Sequence, residues 1–495
     1  MRDYTLFIPE YIAAGSAIGI LSVELLWPRV RKDVLAYLTF FAAVGWGVSG
    51  LFYLGHTPGN FMDVLRTDDF TFFFRFLAAG IVAVVALLSA QFMQDRSRVA
   101  GEYFGLLLVA GAAMVLMAAS RELLTAYISL ELLSFSLYIL VGFLKRDNLS
   151  NEASLKYILL GAFASAMLLY GITLIYGVTG STYYREIAQG LADRPGDTNA
   201  AVIVGLMLII AGVGFKVSAA PFHMWAPDAY QGAPLPITAF LSTASKAAGF
   251  ALILRLFTGA FTVDALEWRG AIAALAALTM TVGNLVAIQQ TNMKRLLAYS
   301  SIGQVGYMLV VIAAIGYFDA EKSAQASSAL LLHLMGYIIT TLALFTAFQA
   351  VYDRTGDDSI AGLRGLSETQ PFLALVITCC LFSFAGLPFF AGFTTKLFMF
   401  QASTSRELLW LVSLAVLNSF ISLYYYLMVM RQMYLFEPHE RTKLRLNPVL
   451  GALGGALLLG VLFIGIYPRF AFDAADEAAK ALFEVSAVEF VSEPR

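Results

Sequence analysis

Apolar runs of roughly 17 to 25 residues recur along this chain between short charged loops, and that is the length a helix needs to cross a bilayer. They lie near 6–26, 34–54, 70–93, 102–119, 123–143, 153–177, 201–220, 236–258, 270–289, 296–316, 327–351, 371–400, 408–434 and 448–467. At that depth there is no water to satisfy a free backbone N–H or C=O, so each run must close its own hydrogen bonds as a helix. The pattern predicts an all-α polytopic membrane protein of about fourteen transmembrane helices. Hydrophobic residues make up 59% of the chain and charged residues 13%, too little polar surface for a soluble protein of 495 residues.

Composition also excludes several classes of function. The net charge is -2 and no basic run interleaves with aromatics, so nucleic acid is not an expected partner. The two cysteines, Cys379 and Cys380, are adjacent and suit neither a disulfide framework nor a four-thiolate cluster. His56, His223, His333 and His439 form no facing, helix-spaced set of the kind that holds haem in a membrane bundle. No glycine-rich phosphate loop joins a strand to a helix. The first apolar run follows an acidic start and has no small-residue cleavage site, so it reads as a first membrane helix and not a removable signal.

Orientation follows from counting Lys and Arg in the loops. Loops after odd-numbered runs carry fifteen, from Arg29, Arg31 and Lys32 through Lys145 and Arg146 to Arg441, Lys443 and Arg445. The opposite side, leaving out the C-terminal tail, carries eight: Arg2, Arg66, Arg121, Arg185, Arg194, Arg269, Lys322 and Arg406. The excess places the first set in the cytoplasm and both termini outside. The connections near 181–199 and 353–370 read as polar caps, and the tail 468–495, alternately acidic and apolar, as a short surface helix.

Glycine and proline interrupt particular runs. Gly212, Gly214 and Pro221 break the seventh, in "GVGFKVSAAPFHMW"; Pro227, Pro234 and Pro236 crowd the approach to the eighth. Gly386, Pro388 and Gly392 break the twelfth, in "FAGLPFFAGFTTK". Such breaks are tolerated mid-membrane where the freed backbone faces protein or water, and matching breaks in two halves mark transport sites. The seventh and twelfth runs are five apart, so a repeat of helices 4–8 onto 9–13 would be inverted. The expected organisation is therefore an N-terminal three-helix segment (1–101), two five-helix repeats (102–258 and 270–434) and a last span with its tail (435–495).

Ionisable residues inside these runs are costly at bilayer depth and usually mark an ion or proton route. Glu131 lies nine residues into the fifth run, about 13 Å deep at 1.5 Å per residue. It reads either as a carboxyl hydrogen-bonded to a neighbouring helix or as a titrating carboxylate paired with a lysine. Lys216 sits at the break of the seventh run, where unwound backbone admits water, although a lysine near a helix end can also snorkel to the interface. Lys246, in "STASKAAGF", is about ten residues from either end of the eighth run, too deep to snorkel. Lys396 follows the twelfth-run break and serves as a relay or as an interface anchor. Lys156, at the start of the sixth run, reads as interfacial or functional. His333 is a candidate shuttle with Tyr337 one turn along, against the plainer reading of a packed histidine. Arg75, Asn284, Gln304 and Tyr424 to Tyr426 read as packing or network members, and Glu10 and Glu24 as interfacial.

The stretch "KVSAAPFHMWAPDAYQGAPLPITAFLSTASKAAGF" (216–250), with "TNMKRLLAYSSIGQVGYML" (291–309), resembles the antiporter-like membrane subunits of respiratory complex I. Those are relatives of multisubunit cation/proton antiporters and membrane hydrogenases. "SLELLSFSLYILVGF" (129–143), "EASLKYILLGAFASAMLLYG" (152–171) and "LPFFAGFTTKLFMF" (387–400) look most like the subunit N type. The resemblance implies fourteen helices in inverted five-helix repeats with broken helices seven and twelve. It also implies a proton-translocating role, with Glu131 and Lys216 as partners, Lys246 as the central lysine, Lys396 as the second-half lysine, and Lys156 and His333 in supporting places. It further implies that NADH, FMN, iron–sulfur clusters and quinone sit on partner subunits. Those partners would include another antiporter-like subunit and a small glutamate-bearing one. An Mrp-type antiporter subunit and a structural membrane subunit without its own proton path are the alternatives.

Overall fold

The structure, a computed structural model, describes residues 3–53, 58–96, 99–193, 200–262, 265–315, 319–405, 407–438 and 446–489. His56, His439 and the loop residues Arg2, Arg98, Arg194, Arg406, Arg441, Lys443 and Arg445 lie outside the described residues. Three N-terminal helices, α1 (Ile8–Leu26), α2 (Lys32–Leu51) and α3 (Asp69–Arg96), pack with α4 (Ala100–Ala119). A small antiparallel hairpin, β1 (Gly59–Phe61) with β2 (Leu65–Thr67), links α2 to α3. After α5 (Leu123–Val141) and α6 (Asn148–Thr179), the 181–199 connection contains a helix of its own, α7 (Tyr184–Ala192), which buries Tyr184, Ile187 and Leu191.

The seventh run (201–220) is one helix, α8 (Ala200–Val217), which passes unbroken through Gly212 and Gly214 and ends at Ser218, whose φ of 66° no helix continues through. Beyond Pro221 a short helix, α9 (Trp225–Gly232), is separated by Ala233 and Pro234 from α10 (Leu235–Arg255). Next come α11 (Ala265–Ala287), α12 (Met293–Ile315), α13 (Ala320–Thr355) and the one-turn α14 (Leu366–Thr369). The twelfth run is divided, into α15 (Pro371–Ala385) and α16 (Ala391–Ala402). Gly386, at φ 85°, closes α15 in the left-handed conformation that glycine adopts without a steric penalty. Gly392 lets α16 start directly against α15, since a side chain there would collide with the Ser383 carbonyl. Then follow α17 (Leu409–Leu435), α18 (Pro448–Ile466) and α19 (Arg469–Glu489).

Thirteen of these helices are individually long and apolar enough to cross a membrane, against about fourteen expected. The difference is the twelfth run, whose pieces of 15 and 12 residues are each too short alone. The tail also differs from a simple surface helix. Along α19 the alanines Ala471, Ala475, Ala478 and Ala479 are buried against α13 and α3, and Asp476 accepts a 2.9 Å hydrogen bond from Ser328 of α13. Alanine spacing makes the buried face of α19, and Asp473 and Glu477 fall on the exposed one.

Burial is graded from the centre outward. Every residue of α10 is buried, and α12 and α13 are nearly so, because small, apolar and hydroxyl side chains clothe them on all sides. The outermost helices instead present large apolar side chains outward, Leu159, Phe163 and Tyr170 on α6 and Leu459, Phe463 and Ile466 on α18. On a membrane protein that surface faces lipid.

Glu10 is not interfacial, as its place near the start of the first run suggested. It is buried on α1 and accepts two hydrogen bonds, at 2.7 and 3.0 Å, from the fully buried Arg75 of α3. A planar guanidinium matches a carboxylate in this two-pronged way, and the pairing removes the cost of burying either charge alone. The Phe72 ring lies against the same guanidinium, 4.9 Å away. Arg75→Ala leaves the Glu10 carboxylate uncompensated, and thermal unfolding in detergent should register a loss of about 3–5 kcal/mol. The double variant Glu10→Gln with Arg75→Met should lose less than Arg75→Ala alone.

Candidate functional site

Lys246 projects from α10, the most enclosed helix of the protein. Its Nζ donates to Ser218 Oγ at 2.9 Å and lies 5.5 Å and 5.4 Å from the ring centroids of Trp225 and Tyr230. Ser218 is the residue at which α8 stops, and both aromatics belong to α9, so the end of α8 and the short helix beyond it build the pocket around this ammonium. Gly249, one turn along α10, allows the end of α8 to come close, since a side chain there would collide with Val217. Aromatic faces and a hydroxyl oxygen solvate a buried cation without a countercharge.

Lys216, on the last turn of α8, donates to Ser134 Oγ of α5 at 2.9 Å. Glu131 lies three residues earlier on α5, where i and i+3 share a face. The expected Glu131–Lys216 pair is not a contact ion pair. Glu131 is half-buried and accepts a hydrogen bond from Ser165 of α6. Between Ser165 and Lys216 lies a cavity of about 10 Å³, lined also by Ser134, Tyr138 and Gly212. That is room for about one water. Serines occupy the positions nearest each charge, which is why the two do not meet. Glu131 still lies within Coulombic reach of Lys216, and Lys216 of Lys246. The last two are also tied through the chain, since Ser245 Oγ donates to the Lys216 carbonyl at 2.8 Å.

Lys396 occupies the break in the twelfth run. Its Nζ donates to the Phe384 carbonyl at 2.6 Å and to Ser419 Oγ of α17 at 3.1 Å, with the Tyr307 ring 4.7 Å away. Phe384 is in the last turn of α15, whose carbonyls have no helical partner, and a cation at that negative end is favoured. Gln304 of α12 donates to the same carbonyl at 3.2 Å, and Ser419 Oγ donates to the next one, Ala385, at 3.1 Å. Behind Tyr307, Asn284 donates to its hydroxyl at 2.9 Å and accepts from Tyr425 at 2.9 Å. Asn284, Gln304, Tyr425 and Tyr426 are thus network members, whereas Tyr424 faces outward.

His333 and Lys156 behave differently from the three lysines. His333 is buried on α13, with Nδ1 2.9 Å from Thr395 Oγ1, beside Lys396, while Nε2 has no partner. Tyr337 does not continue from His333; its hydroxyl reaches across to the Ser242 carbonyl of α10 at 3.0 Å. Lys156 is exposed on the outer face of α6 and pairs with Glu152 at 2.7 Å and with Asp228 at 2.9 Å, and Asp228 also binds Arg295 at 2.6 Å. The structure therefore leaves Lys156 outside the buried row.

Two groups were not legible in the sequence. The hydroxyls that solvate the lysines, Ser134, Ser165, Ser218 and Ser419, carry no charge to advertise them, although "KVS" and "STASK" place some beside a lysine. The ion pair of Asp68 with Arg255, at 2.7 and 2.8 Å, locks α3 to the end of α10, and nothing in the linear order joins two residues so far apart. Among the described residues no cluster of three or more His, Cys, Asp or Glu gathers to hold a metal.

A family model for the NADH:quinone oxidoreductase/Mrp antiporter transmembrane region matches residues 120–422. The chain is 39% identical over 486 residues to a NADH-quinone oxidoreductase subunit N of Dehalococcoides mccartyi, covering 96% of this chain and 99% of that one. It is similar to a chain of respiratory complex I from Thermus thermophilus, with a TM-score of 0.79 and 30% identity over 95% of this chain and 100% of the other. A chain of the Mrp complex from Dietzia sp. shares the fold, with a TM-score of 0.83 at 20% identity and 98% of each chain covered. With its three enclosed lysines, its divided twelfth run and a near full-length match at this identity, the chain belongs to the NADH:quinone oxidoreductase/Mrp antiporter family of membrane subunits, on its subunit N branch.

Proposed function

We propose that this chain is a proton-translocating membrane-arm subunit of an NADH-quinone oxidoreductase, moving protons with energy released by electron transfer in other subunits. The observation that carries this reading is the row Lys216, Lys246 and Lys396. Each is buried, each is held by hydroxyls, carbonyls or aromatic faces, and none has a carboxylate within ion-pair distance among the described residues. A cation solvated in this way has no fixed countercharge, so its proton responds to any charge that changes nearby.

The sequence of events is electrostatic. A charge change in a neighbouring subunit alters the hold of Ser165 on Glu131. Glu131 acts on Lys216 across Ser134 and the one-water cavity, by field and by reorienting that water. Lys216 in turn acts on Lys246 by like-charge repulsion, which falls off slowly in so dry an interior. Lys246 releases its proton toward Lys396, in the second half of the chain, and takes up another when Lys216 is again restrained. The two halves act as the two five-helix repeats of an antiporter-like unit. His333 holds Thr395, and through it the helix that carries Lys396.

In this reading the chain lies in a bacterial inner membrane with both termini on the outer side. Its neighbours are other complex I membrane subunits, including another antiporter-like one and a small glutamate-bearing one. NADH, FMN, iron–sulfur clusters and quinone belong to partner subunits. An Mrp-type antiporter subunit would share the fold, but relatives near 39% identity over almost the whole length favour the oxidoreductase.

Three substitutions test the row. In the assembled complex, Lys246→Ala should cut proton pumping coupled to NADH:quinone turnover by about tenfold or more, the scale on which a positioned proton-transfer group contributes. Near-normal pumping by that variant sinks the relay. Ser134→Ala removes the hydrogen bond to Lys216 while preserving volume. It should slow coupled turnover several-fold with assembly intact on native gels, and Glu131→Gln should slow it more. Equal, unaffected turnover in both would mean that Glu131 does not act on Lys216.

A further inference from the structure

Asp228 is the one acidic residue of α9, and it holds two cations that belong to other helices. Its carboxylate receives the Lys156 ammonium of α6 at 2.9 Å and the Arg295 guanidinium of α12 at 2.6 Å. Arg295 Nη1 also donates to Gln231, one turn further along α9, at 3.0 Å. Lys294, beside it, donates to the Ala233 carbonyl at 3.2 Å, where α9 ends. The C-terminal end of α9 also rests directly on α6, since a side chain at Gly232 would collide with the Leu149 carbonyl and Ala153. Two long helices thus grip one short helix of eight residues.

What α9 carries gives that grip its consequence. Trp225 and Tyr230 present their rings to the Lys246 ammonium, at 5.5 and 5.4 Å. Tyr157, next to Lys156 on α6, stacks on Trp225 with ring centroids 4.2 Å apart and planes 7° from parallel. The Trp225 indole N–H donates to the Phe215 carbonyl at 2.9 Å. A helix of this length spans about 12 Å at 1.5 Å per residue and moves as one piece, so a shift at Asp228 is carried to both rings. The attraction of a cation to a ring face extends to about 6 Å from the centroid, and both rings lie close to that limit. Lys156, Asp228 and Arg295 are 46, 32 and 28% exposed, and ion pairs that water reaches contribute little to stability. The cluster therefore adds little to the fold; what it sets is where α9 lies.

Resting on the proposed proton-translocating role, we propose that Asp228 and Arg295 are positioning residues for Lys246: with Lys156 they clamp α9 so that Trp225 and Tyr230 stay against the ammonium. The clamp joins α6, which packs on the Glu131 helix α5, to α12, whose Tyr307 ring faces Lys396. Relative movement of α6 and α12 reaches Lys246 through α9, and no proton passes through the clamp itself. Arg295 is its stronger arm. A guanidinium presents a rigid fork of donors and here spans two side chains of α9 at once, which a single ammonium does with less fixed geometry. The Lys156 ammonium is nearly half exposed and is shared with Glu152 at 2.7 Å.

The test uses the purified complex that contains this chain. Asp228→Ala should lower protons pumped per NADH oxidised by several-fold, with assembly on native gels and the unfolding midpoint unchanged. Asp228→Asn, which keeps the shape and loses only the charge, is read in its place if the alanine variant does not assemble. Arg295→Ala should match it, Lys156→Met should lose less, and Asp228→Glu should restore pumping. Because Asp228 acts through the rings, adding Asp228→Ala to a Trp225→Leu, Tyr230→Leu background should cost nothing further, whereas independent roles multiply their losses. Electron cryo-microscopy of the Asp228 variant should show α9 displaced, with the Trp225 ring beyond about 6 Å from the Lys246 ammonium. Normal pumping in the Asp228 and Arg295 variants, multiplied losses in the combined variant, or an unmoved α9 overturns the proposal. Lys246→Ala serves as the reference: if it is impaired while the clamp variants are normal, the clamp fails and the broader role stands. If Lys246→Ala itself pumps normally, the broader role fails, and the function assigned to the clamp fails with it.

Discussion

A helix broken inside a membrane leaves carbonyls without partners, and a lysine buried there needs acceptors; in this protein each requirement is met by the other. The Lys396 ammonium sits on the Phe384 carbonyl at the end of α15, and Ser419 takes the next one. At the end of the seventh run, Ser218 stops α8 and receives Lys246, while Ser245 caps the Lys216 carbonyl. The ends of α8 and α15 and the placement of the lysines are therefore a single arrangement. Removing water from the medium is what makes both halves of it necessary.

That arrangement constrains everything packed around it. The helix bearing Lys246 has to be enclosed on every side, and α10 is the helix buried along its whole length. Its C-terminal end is fastened by Arg255, which grips Asp68 with two hydrogen bonds and the Ala118 carbonyl with a third, at 2.7 Å. The N-terminal helices are held by the buried Glu10–Arg75 pair. These two ion pairs differ in kind from the three lysines. A guanidinium bonded twice to a carboxylate is a fixed charge pair and stabilises geometry, whereas an ammonium held by hydroxyls and ring faces stays responsive to its surroundings.

The distinction also separates Lys156 from the row to which resemblance assigned it. Lys156 is exposed on α6 and has two carboxylate partners, so its charge is compensated locally. Glu131 occupies an intermediate position. It is half-buried and hydrogen-bonded to Ser165, which together with Lys216 lines a cavity wide enough for one water. Its influence on the row passes through a medium that can reorient, which suits a group that must transmit a change and not hold a structure.

Sequence alone determined the membrane class, the number of apolar crossings to within the one that is split, the division of the twelfth run, and the mid-helix place of Lys246. These follow from short-range rules: a run long enough to span, a glycine or proline where a helix cannot continue, and the cost of a charge at a given depth. Partners lay beyond its reach. Glu10 met Arg75 sixty-five positions away, Arg255 met Asp68, and Glu131 found Ser165 in place of Lys216. Helical periodicity tells which residues share a face but not which face of another helix will meet it, and hydroxyls give no signal in a hydropathy profile. Only the packing of α5, α6, α8, α10, α12 and α15 decided which of them surround each buried charge, because a hydrogen bond reaches about 3 Å and nothing in the linear order sets distances on that scale.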